Sequence, residues 1–215
     1  MNKTKYIIGI DEAGRGPLLG PVSVGAVLVE RGEFIRVRKQ GRLIGLTDSK
    51  KLSEKMREKL FEKISKLSDE GKLFYEVSLI GEKIIDKKGI SVAIKMGIEK
   101  NLKKLLTRNS FANFSNTTVL LDGGLRAPAE FINQKTIIKG DLKEPVISAA
   151  SIMAKVTRDR FVVKLSKKYP QYKIHEHKGY GTKEHMDLIK RFGLTPVHRK
   201  GFCKNFILAK KPNIC

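Results

Sequence analysis

Tyr6-Ile-Ile-Gly-Ile-Asp-Glu-Ala-Gly-Arg-Gly-Pro17 sets the reading of the whole chain. An apolar, β-rich run ends on two adjacent carboxylates and passes at once into a glycine-rich turn. Carboxylates at the end of a buried strand are costly to desolvate unless a cation neutralises them. Oxygen-only ligands select a hard ion such as Mg²⁺ or Mn²⁺. Strand alternation aims Asp11 and Glu12 at opposite faces, so a shared site requires the chain to bend there, and Gly14 and Gly16 are expected to supply that freedom.

Working outward, Val22 to Glu30 reads as a second strand joined through the Gly14 to Pro21 loop. Leu73 to Ile80, Thr117 to Leu121 and Thr136 to Ile138 are further β-rich runs. Ser53 to Leu67 places Met56, Leu60, Ile64 and Leu67 three or four residues apart, the pattern of an amphipathic helix, and Val92 to Leu106 repeats it. Pro145 suits the first turn of a helix over Val146 to Tyr169, whose Ala149, Ala150 and Ala154 allow close packing on a sheet. Lys178 to Thr182 reads as a loop, Glu184 to Phe192 as a short helix, and Arg31 to Arg42 as a variable loop; Pro196 onward carries no clear pattern. Strands followed by interleaved helices and strands give an α/β fold, a mixed β-sheet flanked by helices.

A length of 215 residues suits one domain over 1–215. Forty-four Lys and Arg against 22 Asp and Glu give a net charge of +22 and a pI near 10, which points to a polyanionic partner, nucleic acid above all. The basic residues are spread along the chain, so a folded basic surface is expected rather than a charged tail. No membrane-length apolar run and no secretory signal precede Asp11, and Cys203 and Cys215 cannot staple a framework. A cytoplasmic protein with reduced thiols and no membrane partner is expected.

Three aspartates follow strand-like runs: Asp11 after Ile10, Asp122 after Leu121, and Asp141 just after Thr136-Ile-Ile-Lys-Gly140. Taken singly, Asp122-Gly123 is also a hairpin signal and Asp141 a helix cap. Together with Glu12 in a strongly basic chain they suggest a four-carboxylate site, whose members repel one another without metal. A pair of divalent cations held there can activate water and stabilise the leaving oxygen of a phosphodiester. No Ser-His-Asp or Cys-His arrangement competes, and there is no Walker loop.

Ile10-Asp-Glu-Ala-Gly-Arg-Gly-Pro-Leu-Leu-Gly-Pro-Val22 resembles the opening signature of the type 2 ribonuclease H family, ribonuclease HII. Thr47-Asp-Ser-Lys-Lys-Leu-Ser53, Leu121-Asp-Gly123, Lys139-Gly-Asp141, Ile147 to Asp159 and His177-Lys-Gly-Tyr-Gly-Thr182 match later family segments in order. The resemblance implies a ribonuclease H-like mixed sheet with flanking helices and a C-terminal helical portion. It places the catalytic, metal-binding carboxylates at Asp11, Glu12, Asp122 and Asp141, and implies endonucleolytic cleavage of RNA in RNA/DNA hybrids and at ribonucleotides embedded in duplex DNA, leaving 3′-hydroxyl and 5′-phosphate ends. Gly14, Arg15, Gly16 and Tyr180 would read the RNA-to-DNA junction, Lys50 would touch phosphate, and the protein would act as a monomer. Arg15 in place of a Lys, and the lack of room for an extra N-terminal domain, favour type HII over type HIII.

Other readings stay open. A non-catalytic nucleic-acid-binding module would explain the charge but not the recurring strand-end aspartates, and a ribonuclease H-like DNA nuclease such as a junction resolvase would share both. Asp159, four residues after Lys155, reads as a helical ion-pair partner rather than a ligand. His175, His177 and His185, without a nearby Cys, make a weak zinc set.

Overall fold

The computed structural model describes residues 4–46 and 52–207, with side chains as far as Lys204. Its centre is a five-stranded sheet of order β3-β2-β1-β4-β5. The strands are β1 (Tyr6–Ala13), β2 (Val22–Glu30), β3 (Phe74–Ile80), β4 (Thr117–Asp122) and β5 (Gln134–Ile137). The β1–β2 and β2–β3 pairs are antiparallel, and β1–β4 and β4–β5 are parallel, so the sheet is mixed as the sequence predicts. Parallel pairing of β4 and β5 rules out a hairpin at Asp122-Gly123; Gly123, at φ +55°, instead starts the connection back to β5.

Period-two alternation divides each strand between two cores. Ile8 and Ile10 of β1, Val22, Val24 and Ala26 of β2, and Val119 and Leu121 of β4 pack with Ile94, Ile98, Leu102 and Leu105 of α4 (Ile90–Arg108). The opposite face carries Ile7, Val27, Val29 and Leu120, covered by α1 (Arg31–Lys39), α2 (Glu54–Asp69) and the long α6 (Pro145–Lys168). Short α3 (Glu82–Lys88) precedes α4, and α5 (Gly140–Lys143) precedes α6. A third, smaller core gathers Leu18 and Leu19 of the first loop with Val162, Tyr172, Ile174, Ile189 and Cys203. It is built from α7 (Ile174–His177), α8 (Lys183–Phe192) and α9 (Lys200–Ile207), which form the expected C-terminal helical portion.

Helix α6 is apolar or small on most of its surface because it lies directly on the strands. A Cβ at Gly9 would fall 2.4 Å from the Val146 carbonyl group, and one at Gly25 would fall 2.2 Å from the Ala150 oxygen. The two glycines therefore set how closely helix and sheet approach, and with them the position of everything α6 offers to the end of β1. Pro145 occupies the first turn, as its fixed φ allows.

Arg31 to Arg42 departs from the expected loop: residues 31–39 are helical. Phe34 and Val37, three apart, are buried, Glu33 lies in the first turn, and Arg36, Arg38 and Lys39 lie in the last, where each sign of charge suits the helix dipole. The tail from Pro196 also contains a helix, α9. No helix among the described residues is long and apolar enough to cross a membrane.

Candidate active site

Strand β1 carries the first two acidic residues, and its pairing brings in the third. The parallel register aligns Ile10 with Leu121, so the next position on each strand is an aspartate, Asp11 beside Asp122. Both continue the alternation of Ile7, Gly9 and Leu120 and therefore face α6. Asp11 is buried, with 3% of its surface exposed, and its carboxyl is pushed up to about 8. Desolvation is the main cause; the charges of Glu12 and Asp122 push the same way, and a hydrogen bond with the Ser151 hydroxyl of α6 opposes them.

The expected bend lies later than the sequence suggests. β1 remains extended through Ala13, and Gly14 turns the chain at φ +87°. Gly16 needs no left-handed conformation, and a Cβ there would meet nothing within 4 Å. Its lack of a side chain leaves the cleft open instead of relieving the backbone. Glu12 thus keeps its alternate direction and reaches the cleft from the other side of the strand end. Its Oε1 accepts from Arg15 Nη2 at 2.7 Å and Nε at 3.0 Å, while Oε2 is buried with no hydrogen-bond partner among the described residues.

These groups share one cleft of about 480 Å³ with Gly14, Gly16, Arg57, Ser151, Lys155 and Tyr180. Tyr180 is 43% exposed and lies under two cations, with Lys155 Nζ 5.9 Å and Arg158 Cζ 5.8 Å from its ring centroid. Asp141 does not line this cleft. It is buried on α5 beside Gly140, whose N–H donates to Asp122 Oδ1 at 2.6 Å, so it stands one residue from the Asp122 contact. Among the described residues, no three His, Cys, Asp or Glu side chains are gathered into one ion-binding group. Lys50 lies outside the described residues. Asp159 accepts from Lys155 Nζ at 2.8 Å, the ion pair its spacing predicts.

Two arginines that sequence reasoning passed over hold the glycine-rich loop from beneath. Arg158 and Arg199 are fully buried. Arg158 donates to the carbonyls of Pro21, Leu19 and Lys178, at 3.0, 3.1 and 3.2 Å. Arg199 donates to those of Gly14, Gly20 and Arg15, at 2.7, 2.8 and 3.0 Å. A Cβ on Gly14 would lie 2.0 Å from Arg158 Nε, so that position admits only glycine. Burial lowers the pKa of both guanidiniums; Arg199, with the charge of Arg158 adding to the effect, is brought down to about 10. A signal for Arg158 did exist: Ala150, Ala154, Arg158 and Val162 follow one another four apart on the same buried face of α6. Arg199, in a segment without periodicity, had none.

Oxygen donors alone, a buried Glu12 oxygen without a partner and a buried Asp11 crowded by two like charges are the chemistry that a hard divalent cation satisfies. A mixed sheet with carboxylates at adjacent ends of its first and fourth strands, beside basic side chains, defines a nuclease of ribonuclease H type. Solved structures agree. The ribonuclease H2 of Pyrococcus horikoshii superimposes with a TM-score of 0.71 at 27% identity, covering 97% of this chain and all of that one. A ribonuclease HIII structure in complex with Mn²⁺ shares the fold with a TM-score of 0.69 at 18% identity, covering 98% of this chain and 72% of its own.

The sequence narrows the class further. The ribonuclease HII family model matches residues 8–205, and this chain belongs to that family. Ribonuclease HII of Caldicellulosiruptor bescii is 42% identical over 203 residues, covering 94% of this chain and 89% of its own. That of Aliarcobacter butzleri is 43% identical over 199 residues, covering 92% and 91%. The chain is thus an endonuclease, a hydrolase of the ribonuclease H type.

Proposed function

We propose that this endonuclease hydrolyses the RNA strand of RNA/DNA hybrids and cuts at ribonucleotides embedded in duplex DNA, leaving 3′-hydroxyl and 5′-phosphate ends. The observation that supports the reading is Asp11 beside Asp122, one residue past the paired Ile10 and Leu121, in a cleft that also holds Arg15, Lys155 and Tyr180. Asp11, Glu12, Asp122 and Asp141 would hold Mg²⁺ or Mn²⁺. Such ions, two during catalysis, would activate water and stabilise the leaving oxygen.

The chain's own residues do the rest. Ser151 and the amide of Glu12, which donates to Asp11 Oδ1 at 2.7 Å, orient the Asp11 carboxylate. Gly140 N–H fixes Asp122. Arg15, half exposed at the rim, lies where a phosphate would exchange for its present partner Glu12. Lys155 and Arg57 add positive charge to the walls, and the remaining basic surface supplies affinity for phosphates regardless of sequence. Lys50 is assigned a further phosphate contact. The open backbone at Gly14 to Gly16 and the ring of Tyr180 would meet a sugar, where the 2′-hydroxyl separates RNA from DNA. The protein is proposed to act as a monomer in the cytoplasm.

The test is a labelled DNA duplex with one ribonucleotide, a long RNA/DNA hybrid and an all-DNA four-way junction, each incubated with Mg²⁺, Mn²⁺ or a chelator. Cleavage of the first two, dependent on metal and absent from the junction, is expected. Cutting of the junction in preference to the hybrid would instead identify a DNA nuclease.

A further inference from the structure

Tyr180 stands in a short turn held by histidines that the proposed chemistry leaves unused. Of the four histidines, His175 is exposed, whereas His177, His185 and His198 are buried. The rings of His177 and His185 stack with centroids 4.1 Å apart, and His198 follows at 5.4 Å from His185.

Backbone donors decide which ring nitrogen carries each proton. Gly179 N–H donates to His177 Nδ1 at 3.1 Å, so that ring is protonated on Nε2, which donates to the Tyr172 carbonyl at 2.8 Å. Thr195 N–H donates to His198 Nδ1 at 2.9 Å, so His198 carries its proton on Nε2 and donates to Nε2 of His185 at 3.2 Å. His185 must then accept on Nε2 and donate from Nδ1, and its Nδ1 lies 2.9 Å from the carbonyl oxygen of Tyr180. Every ring nitrogen then meets a complementary partner with all three rings neutral, and in that state His198 Nδ1 accepts from the Thr195 hydroxyl at 2.8 Å as well as from the Thr195 N–H. A second proton on any of them would set donor against donor. Burial favours the same state, holding His185 and His198 down at about 4.

We propose that His198 and His185 form a relay of fixed neutral tautomers that positions Tyr180 over the cleft, with His177 fixing the turn just before it. His185 is the positioning residue: it touches neither the acidic centre nor the cleft, and it acts through the Tyr180 backbone. The relay adds to other restraints on the turn: Leu18 N–H donates to the Gly179 carbonyl at 2.8 Å, Arg158 donates to that of Lys178 at 3.2 Å, and Lys155 and Arg158 lie over the Tyr180 ring. Tyr180 N–H donates to the His177 carbonyl, Thr182 N–H donates to the Tyr180 carbonyl, and Gly179 at φ +85° packs on Leu19. The effect on sugar selectivity rests on the reading of Tyr180 as a junction contact.

Three measurements on the full chain decide the matter. Long-range ¹⁵N spectra of the unsubstituted protein at pH 7 should show His177 and His198 as Nε2–H tautomers and His185 as Nδ1–H; any other set overturns the relay. Amide exchange over 178–182 should accelerate about tenfold or more in His185→Phe, which keeps a ring in the stack but loses the donor, and should recover in His185→Asn, whose amide can donate in place of Nδ1. Unchanged exchange in His185→Phe overturns the proposal, and if that variant does not fold the spectra decide. The ratio of cleavage at a single ribonucleotide to cleavage within a long hybrid should fall in His185→Phe as it does in Tyr180→Ala, and recover in His185→Asn. A ratio that moves in Tyr180→Ala but not in His185→Phe refutes the positioning role. A ratio that moves in neither removes the junction reading of Tyr180, and the relay then stands or falls on tautomers and exchange.

Discussion

Replacing Arg199 with lysine keeps the charge and removes the fork. The guanidinium bridges three carbonyls, those of Gly14, Arg15 and Gly20, on both sides of the glycine-rich loop, and the bonds to Gly14 and Gly20 are buried. One ammonium group cannot span them, so about two acceptors lose their donor. Each buried acceptor left so costs about 1–3 kcal/mol, which puts the loss on the order of 2–6 kcal/mol. The burial that lowers the Arg199 pKa to about 10 would bear harder on a lysine, whose ammonium is more strongly hydrated. Urea denaturation of Arg199→Lys beside the unsubstituted protein reads the stability, and single-turnover cleavage of a ribonucleotide-containing duplex reads the chemistry. Since Arg15 and the turn after Glu12 hang from this clamp, a displacement of about 1 Å should slow cleavage by up to about 100-fold. Affinity for duplex should change little, because the net charge is unchanged. Stability within about 0.5 kcal/mol of the parent and unchanged cleavage would refute the clamp.

Further consequences can be checked separately. Gly25→Ala puts a methyl 2.2 Å from the Ala150 oxygen, and overpacking of this kind should cost about 1–3 kcal/mol and lower Tm; an unchanged Tm would mean that α6 is free to move away. His185 and His198 sit at about 4 when folded against an ordinary 6.5, so the unfolded chain binds the extra protons. Their joint contribution is complete above pH 6.5 and lost as pH falls towards 4, on the order of a few kcal/mol for the coupled pair; urea midpoints constant from pH 7 to 4 would contradict this. Log affinity for a hybrid should fall steeply with log salt because the surface acts through phosphates, and a slope near zero would dismiss the role assigned to the charge of +22.

Local signals that agree with the tertiary structure were readable in advance. Alternation marked the central strands, three-to-four spacing marked α2 and α4, and the small residues of 146–154 announced a helix lying against the sheet. The aspartates at strand ends were visible because β1 and β4 both stop being apolar at the same level. What escaped is what depends on distant partners. A buried arginine looks like a solvated one until the carbonyls it serves come from a loop about 140 or 180 residues away, as for Arg158 and Arg199. His198 looked unrelated to His177 and His185 because the third core brings them together only after folding. Helix α1 was masked by Gly32 and its dense charge, although Phe34 and Val37 held the signal. Gly16 was credited with backbone freedom that Gly14 alone uses.

The acidic centre is tested by Asp122→Asn. Asparagine retains an oxygen for the Gly140 N–H, nearly the same volume and the strand register, but carries no charge beside Asp11. Purified Asp122→Asn should match the parent in thermal unfolding and bind a non-cleaved hybrid at least as tightly. Its single-turnover cleavage of a duplex with one ribonucleotide, in Mg²⁺ and in Mn²⁺, should fall by at least about 100-fold, in line with the loss of a charged group that stabilises the transition state. Near-parental cleavage by the folded variant would place the chemistry elsewhere than between β1 and β4.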